Sequence, residues 1–226
     1  GGLAARLAHV PALVYALSGL GYLYTETGLK VRLARRAANL AFRLALDHPN
    51  ARLVFQNPDD RDLFVANRLI AQNRTQVVKG SGVDMTVFQP QPEPPGVPVV
   101  LFAGRLLWKK GIGLFVKAAE HLKAAGVNAR FVVVGYPEPS SPAAVPQTRI
   151  EAWARDGLIE WWGKRDDMPA VFAASHIVCL PSSYGEGIPK VLIEAAACGR
   201  AIVTTDTPGC REITHHGENG LLIPKD

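Results

Sequence analysis

Apolar runs of strand length punctuate the second part of the chain at Val97–Ala103, Ala129–Val134, Leu158–Trp162, Ile177–Leu180, Ala201–Thr204 and Gly220–Ile223. Between most of them the apolar positions recur at helical spacing, over Leu114–Ala125, Thr148–Arg155, Met168–Ala174 and Pro189–Cys198. Strands alternating with helices of this length predict right-handed βαβ units and a parallel sheet. The unbroken run Phe131-Val132-Val133-Val134 fits a sheet covered on both faces.

The first part repeats the pattern less completely. Val10–Leu17, Ala51–Phe55 and Thr75–Lys79 read as strands, Lys30–Leu46 as a long helix, and Asp59–Ala71 as a helix opened by Asn57-Pro58. At 100° per residue the long helix places Arg32, Arg35, Arg36, Asn39 and Arg43 on one face. Leu33, Ala37, Leu40 and Leu44 gather on another, expected to lie against the sheet. A stretch from Gln89 to Pro98 is too rich in proline for a helix or a sheet interior.

The expected organisation is α/β: residues 1–88 as the C-terminal half of one domain, 89–96 as a linker, and 97–226 as most of a second domain. Three strands are too few for a doubly wound domain, and the chain stops directly after Gly220–Ile223. The expectation is therefore a fragment of a longer protein, its first domain incomplete and its second lacking the last helices.

Composition narrows the class. Of the 226 residues, 48% are hydrophobic and 20% charged, an ordinary globular balance. No run approaches the 18 or more apolar residues of a membrane span. Cys179, Cys198 and Cys210 are odd in number and lack CxxC spacing, so they read as reduced thiols and not as a disulfide frame or zinc site. The net charge of +5 sits wholly in the first part: residues 1–90 hold 11 Lys+Arg against 6 Asp+Glu, and the remainder holds 14 of each. No nucleic-acid-binding signature accompanies these charges. An anionic membrane surface and a diphosphate-bearing substrate both suit them, and charge alone does not choose.

Candidate chemistry sits in loops that lead from a strand's carboxyl end into a helix, the edge where open α/β sheets bind ligands. Gly104-Arg105-Leu-Leu-Trp-Lys-Lys110-Gly111 sets a guanidinium and ammonium groups beside glycine, a composition suited to phosphate oxygens; by itself it equally describes a solvated basic loop. Pro181-Ser-Ser-Tyr-Gly185-Glu186-Gly187-Ile188-Pro189 follows a strand and opens a helix, with Pro189 expected at its first position. Backbone N–H groups and the helix dipole would then face a ligand at that end. Glu194 lies eight residues after Glu186.

Together these loops resemble the retaining glycosyltransferases of family four, the group 1 glycosyltransferases of the GT-B fold. The carrying residues are Gly104-Arg105-Leu with Lys110-Gly111, and Pro181-Ser-Ser with Glu186-Gly, Pro189, Leu192 and Glu194-Ala. The turn Thr204 to Glu212 and the terminal Gly217-Glu-Asn-Gly220-Leu-Leu-Ile-Pro complete them. In the first part, Ser18-Gly19-Leu20-Gly21-Tyr22, Phe55-Gln-Asn57-Pro58-Asp59-Asp60 and Gly80-Ser-Gly82-Val83-Asp84 are similar to a subgroup that builds bacterial surface glycans on undecaprenyl-diphosphate carriers. The N-acetylgalactosaminyltransferases of bacterial glycan assembly belong to that subgroup. The fold so implied is two Rossmann-like doubly wound parallel-sheet domains.

The resemblance implies that Arg105 and Lys110, in the turn begun by Gly104, hold the donor diphosphate. It implies that Glu186 orients the donor sugar, helped by Gly187, Ile188 and Pro189, and that Glu194 bonds the ribose. The loop at Trp162-Gly163 matches the region that receives the nucleobase. Breaking a sugar–phosphate bond leaves charge on the diphosphate, which fixed cations stabilise. Many relatives carry a histidine where this chain has Ser18-Gly19, so no base is assigned; the leaving phosphate can itself take the acceptor proton.

The function so implied is transfer of a hexosyl or N-acetylhexosaminyl group from a UDP-sugar to an undecaprenyl-diphosphate-linked acceptor, the chain alone transferring little. Rival readings are a UDP-N-acetylglucosamine 2-epimerase-like enzyme and a module that only binds nucleotide sugar. No cofactor or metal is expected: Asp60-Arg-Asp62 reads as helix-start chemistry, and His215-His216 as a solvated turn. Ser18, Gly19 and Tyr22, with Arg32, Arg36 and Arg43, are assigned to the acceptor and membrane side. The expected location is cytoplasmic, on the inner face of the plasma membrane.

Overall fold

All nine strands among the described residues run parallel, and they form two separate sheets. The computed structural model describes residues 2–25, 27–138, 140–183 and 185–225. The chain divides into two compact units, one of Gly1–Ser81 with Tyr184–Pro189, the other of Gly82–Ser183 with Lys190–Asp226.

In the first unit, β1 (Leu13–Leu17), β2 (Ala51–Phe55) and β3 (Thr75–Val77) lie in chain order. Leu13 pairs with Ala51 and Phe55 with Val77. On β2, Ala51, Leu53 and Phe55 are buried and Arg52 is exposed, the period of two expected of a strand. Phe64 fills the space above them, its ring 5.2 Å from Phe55 and 5.1 Å from Phe42, both edge-on. Phe64 belongs to the helix Pro58–Ala66, which starts where Asn57 accepts from the Asp60 N–H at 2.8 Å and Pro58 supplies the first turn.

The long helix spans Leu29–Leu46, as its periodicity predicts, but its inward face differs from the expected one. Leu33, Leu40 and Leu44 are 55%, 59% and 48% exposed, and Leu29 is 65% exposed. The face turned inward is the opposite one, with buried Val31 and Leu46 and half-buried Phe42. The reason is a polar anchor: Tyr24 donates to Asn39 Oδ1, and Arg35 Nε donates to the Leu23 carbonyl at 2.6 Å while its guanidinium covers the Tyr24 ring. These contacts fix the helix rotation, so Arg35 and Asn39 do not share the outer surface with Arg32, Arg36 and Arg43. Residues Tyr22–Thr25 form a short helix; the Tyr22 side chain lies outside the described ones.

The second unit contains β4 (Val99–Ala103), β5 (Arg130–Val134), β6 (Glu160–Trp161), β7 (Ile177–Leu180), β8 (Ala201–Thr205) and β9 (Gly220–Ile223). Their spatial order is β6-β5-β4-β7-β8-β9, the arrangement of a doubly wound nucleotide-binding sheet. Helices Ile112–Ala124, Gln147–Arg155, Met168–Ala173 and Lys190–Ala197 join the strands. Phe102, Phe115, Phe131, Val133 and Ile150 are among the residues that close the core. The proline-rich stretch has no regular structure but is pinned: Arg200 donates to the Gln91 carbonyl, and His176 Nε2 lies 2.9 Å from Pro94 O.

The order reverses between β4 and β7, and there the chain passes close to itself. Gly111 is left-handed (φ 85°), and a Cβ on it would stand 2.0 Å from the Pro181 carbonyl oxygen. Gly126 is also left-handed (φ 75°), but a Cβ there meets nothing within 4 Å. Gly126→Ala is therefore expected to cost the left-handed strain alone, about 1–2 kcal/mol. Gly111→Ala should cost about 1–3 kcal/mol more, the scale of overpacking. Urea midpoints of the two variants decide it; equal destabilisation would mean the contact yields freely.

Candidate functional site

At the β4–β7 reversal the carboxyl ends of several strands open into one cavity of about 250 Å³. Ala103, Gly104 and Arg105 enter it from β4, Val134, Gly135 and Tyr136 from β5, and Lys164 and Arg165 from the loop after β6. Val191 and Glu194 enter from the helix Lys190–Ala197. Three cations thus meet one carboxylate around a mostly apolar floor, a small set of polar groups in the place where such sheets bind ligands.

Glu194 is buried, and burial raises its carboxyl above the ordinary value, opposed by the hydrogen bond from Lys190. Lys190 Nζ lies 3.3 Å from its Oε1, one turn earlier on the helix. Arg105 is exposed and holds Glu138 at 3.1 Å. Arg105 is half exposed and Glu138 is half-buried at the surface, so this pair is worth little and an incoming anion can displace it. Lys110 belongs to the same loop, and its Cδ comes 3.8 Å from where a Cβ on Gly104 would stand. The loops after β4 and β7 are tied directly: the Ser183 N–H donates to Lys109 O at 2.9 Å.

Trp162 and Gly163 do not line the cavity; the next two residues, Lys164 and Arg165, do. The Gly163 carbonyl accepts from Gly135 N–H at 2.8 Å, and Trp162 Nε1 donates to Glu160 at 3.3 Å. These contacts set the strand ends from which the basic pair projects.

Glu186, Gly187, Ile188 and Pro189 belong instead to the first unit, with Ser18 and Gly19. The Gly187 N–H donates to Ser18 O and the Ile188 N–H to Gln56 Oε1, each at 2.9 Å. Both amides expected to face a ligand are thereby engaged within the unit. The helix begins at Lys190, after Pro189. Gln56 is not among the residues the sequence assigns to the site, and its only sequence signal is its place beside Asn57-Pro58. Arg32, Arg36 and Arg43 lie exposed along the outer side of the long helix. Of the acidic pair, Asp60 is buried beside Asn57, whereas Asp62 is exposed and holds Arg61 at 2.7 Å.

The family model for glycosyl transferases group 1 matches residues 97–226. The chain is 30% identical over 232 residues to a Campylobacter jejuni protein, N,N'-diacetylbacillosaminyl-diphospho-undecaprenol alpha-1,3-N-acetylgalactosaminyltransferase, covering 97% of this chain and 59% of that one. Among solved structures it resembles Anabaena Alr3699/HepE in complex with UDP-glucose, with a TM-score of 0.75 and 21% identity over 99% of this chain and 61% of that one. Sucrose-phosphate synthase from Thermosynechococcus elongatus gives a TM-score of 0.78 and 20% identity over 99% and 58% of the two chains. These likenesses show the fold, which is the GT-B one. The chain thus spans about three fifths of the length of the proteins it matches.

Burial pushes the Asp60 carboxyl up to about 6, against the lowering effect of the Asn57 hydrogen bond and with a smaller push from Asp59. The folded state therefore binds this proton more tightly than the unfolded chain does. Stability from this group is fully present below the ordinary carboxylate range and is lost as pH rises through about 6. Asp60→Asn stays neutral and keeps an acceptor for Asn57, so its stability relative to the parent should rise by up to about 3 kcal/mol between pH 4 and pH 7. Urea unfolding at both pH values measures this; a difference independent of pH would show that Asp60 is not held protonated.

Proposed function

The chain belongs to the group 1 glycosyltransferases, and on that premise we propose that its second unit binds a UDP-sugar for transfer of a hexosyl or N-acetylhexosaminyl group to a lipid-diphosphate-linked glycan. The observation that carries this reading is the convergence of Arg105, Lys164, Arg165 and Glu194 on one cavity at the strand-order reversal. A nucleoside diphosphate has the matching polarity: a ribose for the carboxylate and an anionic diphosphate for the cations. UDP as the nucleotide is supported by the UDP-glucose bound in the similar Anabaena structure, and the acceptor by the name of the Campylobacter relative.

In the proposed reaction the bond between the sugar's anomeric carbon and the phosphate oxygen breaks, and negative charge collects on the diphosphate. Arg105 and Lys110 stabilise that charge, Arg105 exchanging its solvated partner Glu138 for phosphate oxygens. Glu194 accepts from ribose hydroxyls, and Glu186 accepts from hydroxyls of the sugar. The acceptor oxygen bonds to the anomeric carbon on the face the phosphate leaves, and its proton passes to that phosphate. Configuration is thereby retained without a protein base. No metal or other cofactor takes part in this scheme.

A second reading, of where the protein works, rests on the outward leucines. Leu29, Leu33, Leu40 and Leu44 form an exposed apolar stripe, and Arg32, Arg36 and Arg43 run beside it. No acidic residue occurs between Lys30 and Arg43. Apolar and basic rows side by side on one helix suit an anionic lipid surface, with the leucines at the acyl boundary and the arginines among headgroups. The leucine stripe, expected to be covered by the sheet, thus joins the basic row. No helix among the described residues is long and apolar enough to cross a membrane. The location that follows is peripheral, on the inner face of the plasma membrane.

Calorimetry tests the donor site. Arg105→Ala and Lys110→Ala should each weaken UDP by about 1.5–3 kcal/mol while leaving uridine nearly unchanged; equal losses for both ligands would remove these side chains from the phosphates. Glu194→Ala should weaken UDP itself, whereas Glu186→Gln should weaken only the UDP-sugar. One shared pattern would overturn the two roles. Vesicle sedimentation tests the location. Binding to phosphatidylglycerol should exceed binding to phosphatidylcholine and fall with salt, with Leu33→Ser/Leu40→Ser and with Arg32→Glu/Arg36→Glu, at about 1 kcal/mol per basic residue. Absent or salt-independent binding would retire the lipid reading and leave the stripe for a protein partner.

A further inference from the structure

Four hydrogen bonds hold Gly185–Ile188 to residues more than 120 positions earlier in the chain, all within the first unit. The Gly21 N–H donates to Gly185 O at 3.0 Å and the Gly187 N–H to Ser18 O at 2.9 Å, both partners lying just after β1. The Ile188 N–H donates to Gln56 Oε1 at 2.9 Å, and Asn57 Nδ2 donates to Gly187 O at 3.2 Å, both side chains lying just after β2. Asn57 is itself fixed, because its Oδ1 caps the Asp60 N–H and its Nδ2 also reaches Asp60 Oδ2 at 3.0 Å.

The fit leaves no room. A Cβ on Gly187 would stand 2.1 Å from Gln56 Oε1 and 2.4 Å from Ser18 O, and one on Gly19 would stand 2.6 Å from the Gly187 nitrogen. Glycine is thus required for the approach, and glycine on both sides of Glu186 gives the segment more freedom than any other residue would. Gln56 and Asn57 meet this segment with one acceptor and one donor, both placed at the end of a strand.

We propose that Gln56 and Asn57 are positioning residues for Glu186: their side-chain amides clamp the glycine-flanked loop so that the glutamate carboxylate is presented to the donor sugar in one orientation. This deepens the reading above and rests on it for the identity of what Glu186 meets. The motif Gln56-Asn57-Pro58-Asp59-Asp60 then serves two ends, starting a helix on one side and holding a distant loop on the other. A loose carboxylate loses its advantage steeply, because small misplacements at a reacting centre cost large factors in rate. Gln56 and Asn57 do not line the cavity proposed for the nucleotide, so loss of the clamp should reach only the part of binding that belongs to the sugar.

The test uses the intact protein with Gln56→Leu, which removes the acceptor, and Gln56→Glu, which keeps one. Amide hydrogen exchange at Gly187 and Ile188 should accelerate at least tenfold at Ile188 in Gln56→Leu and stay near the parent rate in Gln56→Glu. Affinities for UDP, UDP-glucose and UDP-N-acetylgalactosamine are measured on the same samples. UDP should bind equally to all three proteins. The gain of the better UDP-sugar over UDP should fall severalfold in Gln56→Leu, toward its level in Glu186→Gln, and recover in Gln56→Glu. Unchanged exchange at Ile188 in Gln56→Leu, or equal weakening of UDP and UDP-sugar, would overturn the proposal. Glu186→Gln separates the two readings: if it leaves the sugar's contribution intact, the role of Glu186 fails, while the exchange rates still judge the clamp.

Discussion

Two parallel strands, β4 and β7, end side by side at the point where the second sheet reverses its order, and the helices that follow them leave on opposite faces. The gap this opens is bridged at the Lys109 carbonyl, which also accepts from the Ser182 and Ser183 hydroxyls at 3.4 Å. The Ser183 amide reaches Lys109 O, and Gly111 passes so near the Pro181 carbonyl that no side chain fits. Everything placed at that edge depends on this closure. Arg105 and Lys110 belong to one of the bridged loops, and the other runs on toward Glu186 and the helix of Glu194.

The electrostatics of that edge are set locally. Glu194 rises from a buried helix turn and carries Lys190 as its neighbour, so its carboxyl is desolvated but not unpartnered. Arg105, Lys164 and Arg165 come from loops and keep their charged ends toward water. Their ion pairs with Glu138, Asp166 and Asp167 join largely solvated side chains. Charges held by solvated partners are available to an anion, whereas a carboxylate buried on a helix is a more rigid acceptor. The cavity therefore combines one fixed acceptor with several exchangeable donors, and a polyanion attached to a polyhydroxylated ring is the ligand class that uses both.

Continuous apolar runs made the second sheet legible through their length, too short for helices and separated by helical patterns. Ile177–Leu180 and Gly220–Ile223 stand where their patterns put them. β6 shrinks to Glu160–Trp161 because Trp162 turns its indole to Glu160 and Gly163 takes a left-handed φ of 69°. The long helix was legible in extent but not in rotation. Counting leucines selects the most apolar face as the inner one, but Tyr24, Arg35 and Asn39 supply directional contacts that outweigh it. Gln56 stood inside a motif that carries the resemblance, but its contact could not be read from it. Its partner is 132 residues away, and a single neutral amide leaves no periodicity or spacing to detect.

The helix rotation and the loop clamp have a common physical basis. In both, a polar side chain bonded to main chain or to another amide decides an orientation that hydrophobic burial leaves open. Burial is proportional to area and has no direction, so it assembles the sheets and seats Phe64 but does not by itself fix how a helix is turned or which way a glycine-rich loop faces. Directional bonds contribute about 1 kcal/mol each, small against the burial of a core yet enough to choose between arrangements that bury similar area. The first unit has only a small buried cluster around Leu53, Phe55 and Phe64. What such bonds orient in this unit is plain: leucines and arginines outward along one helix, and two amides toward the loop that carries Glu186.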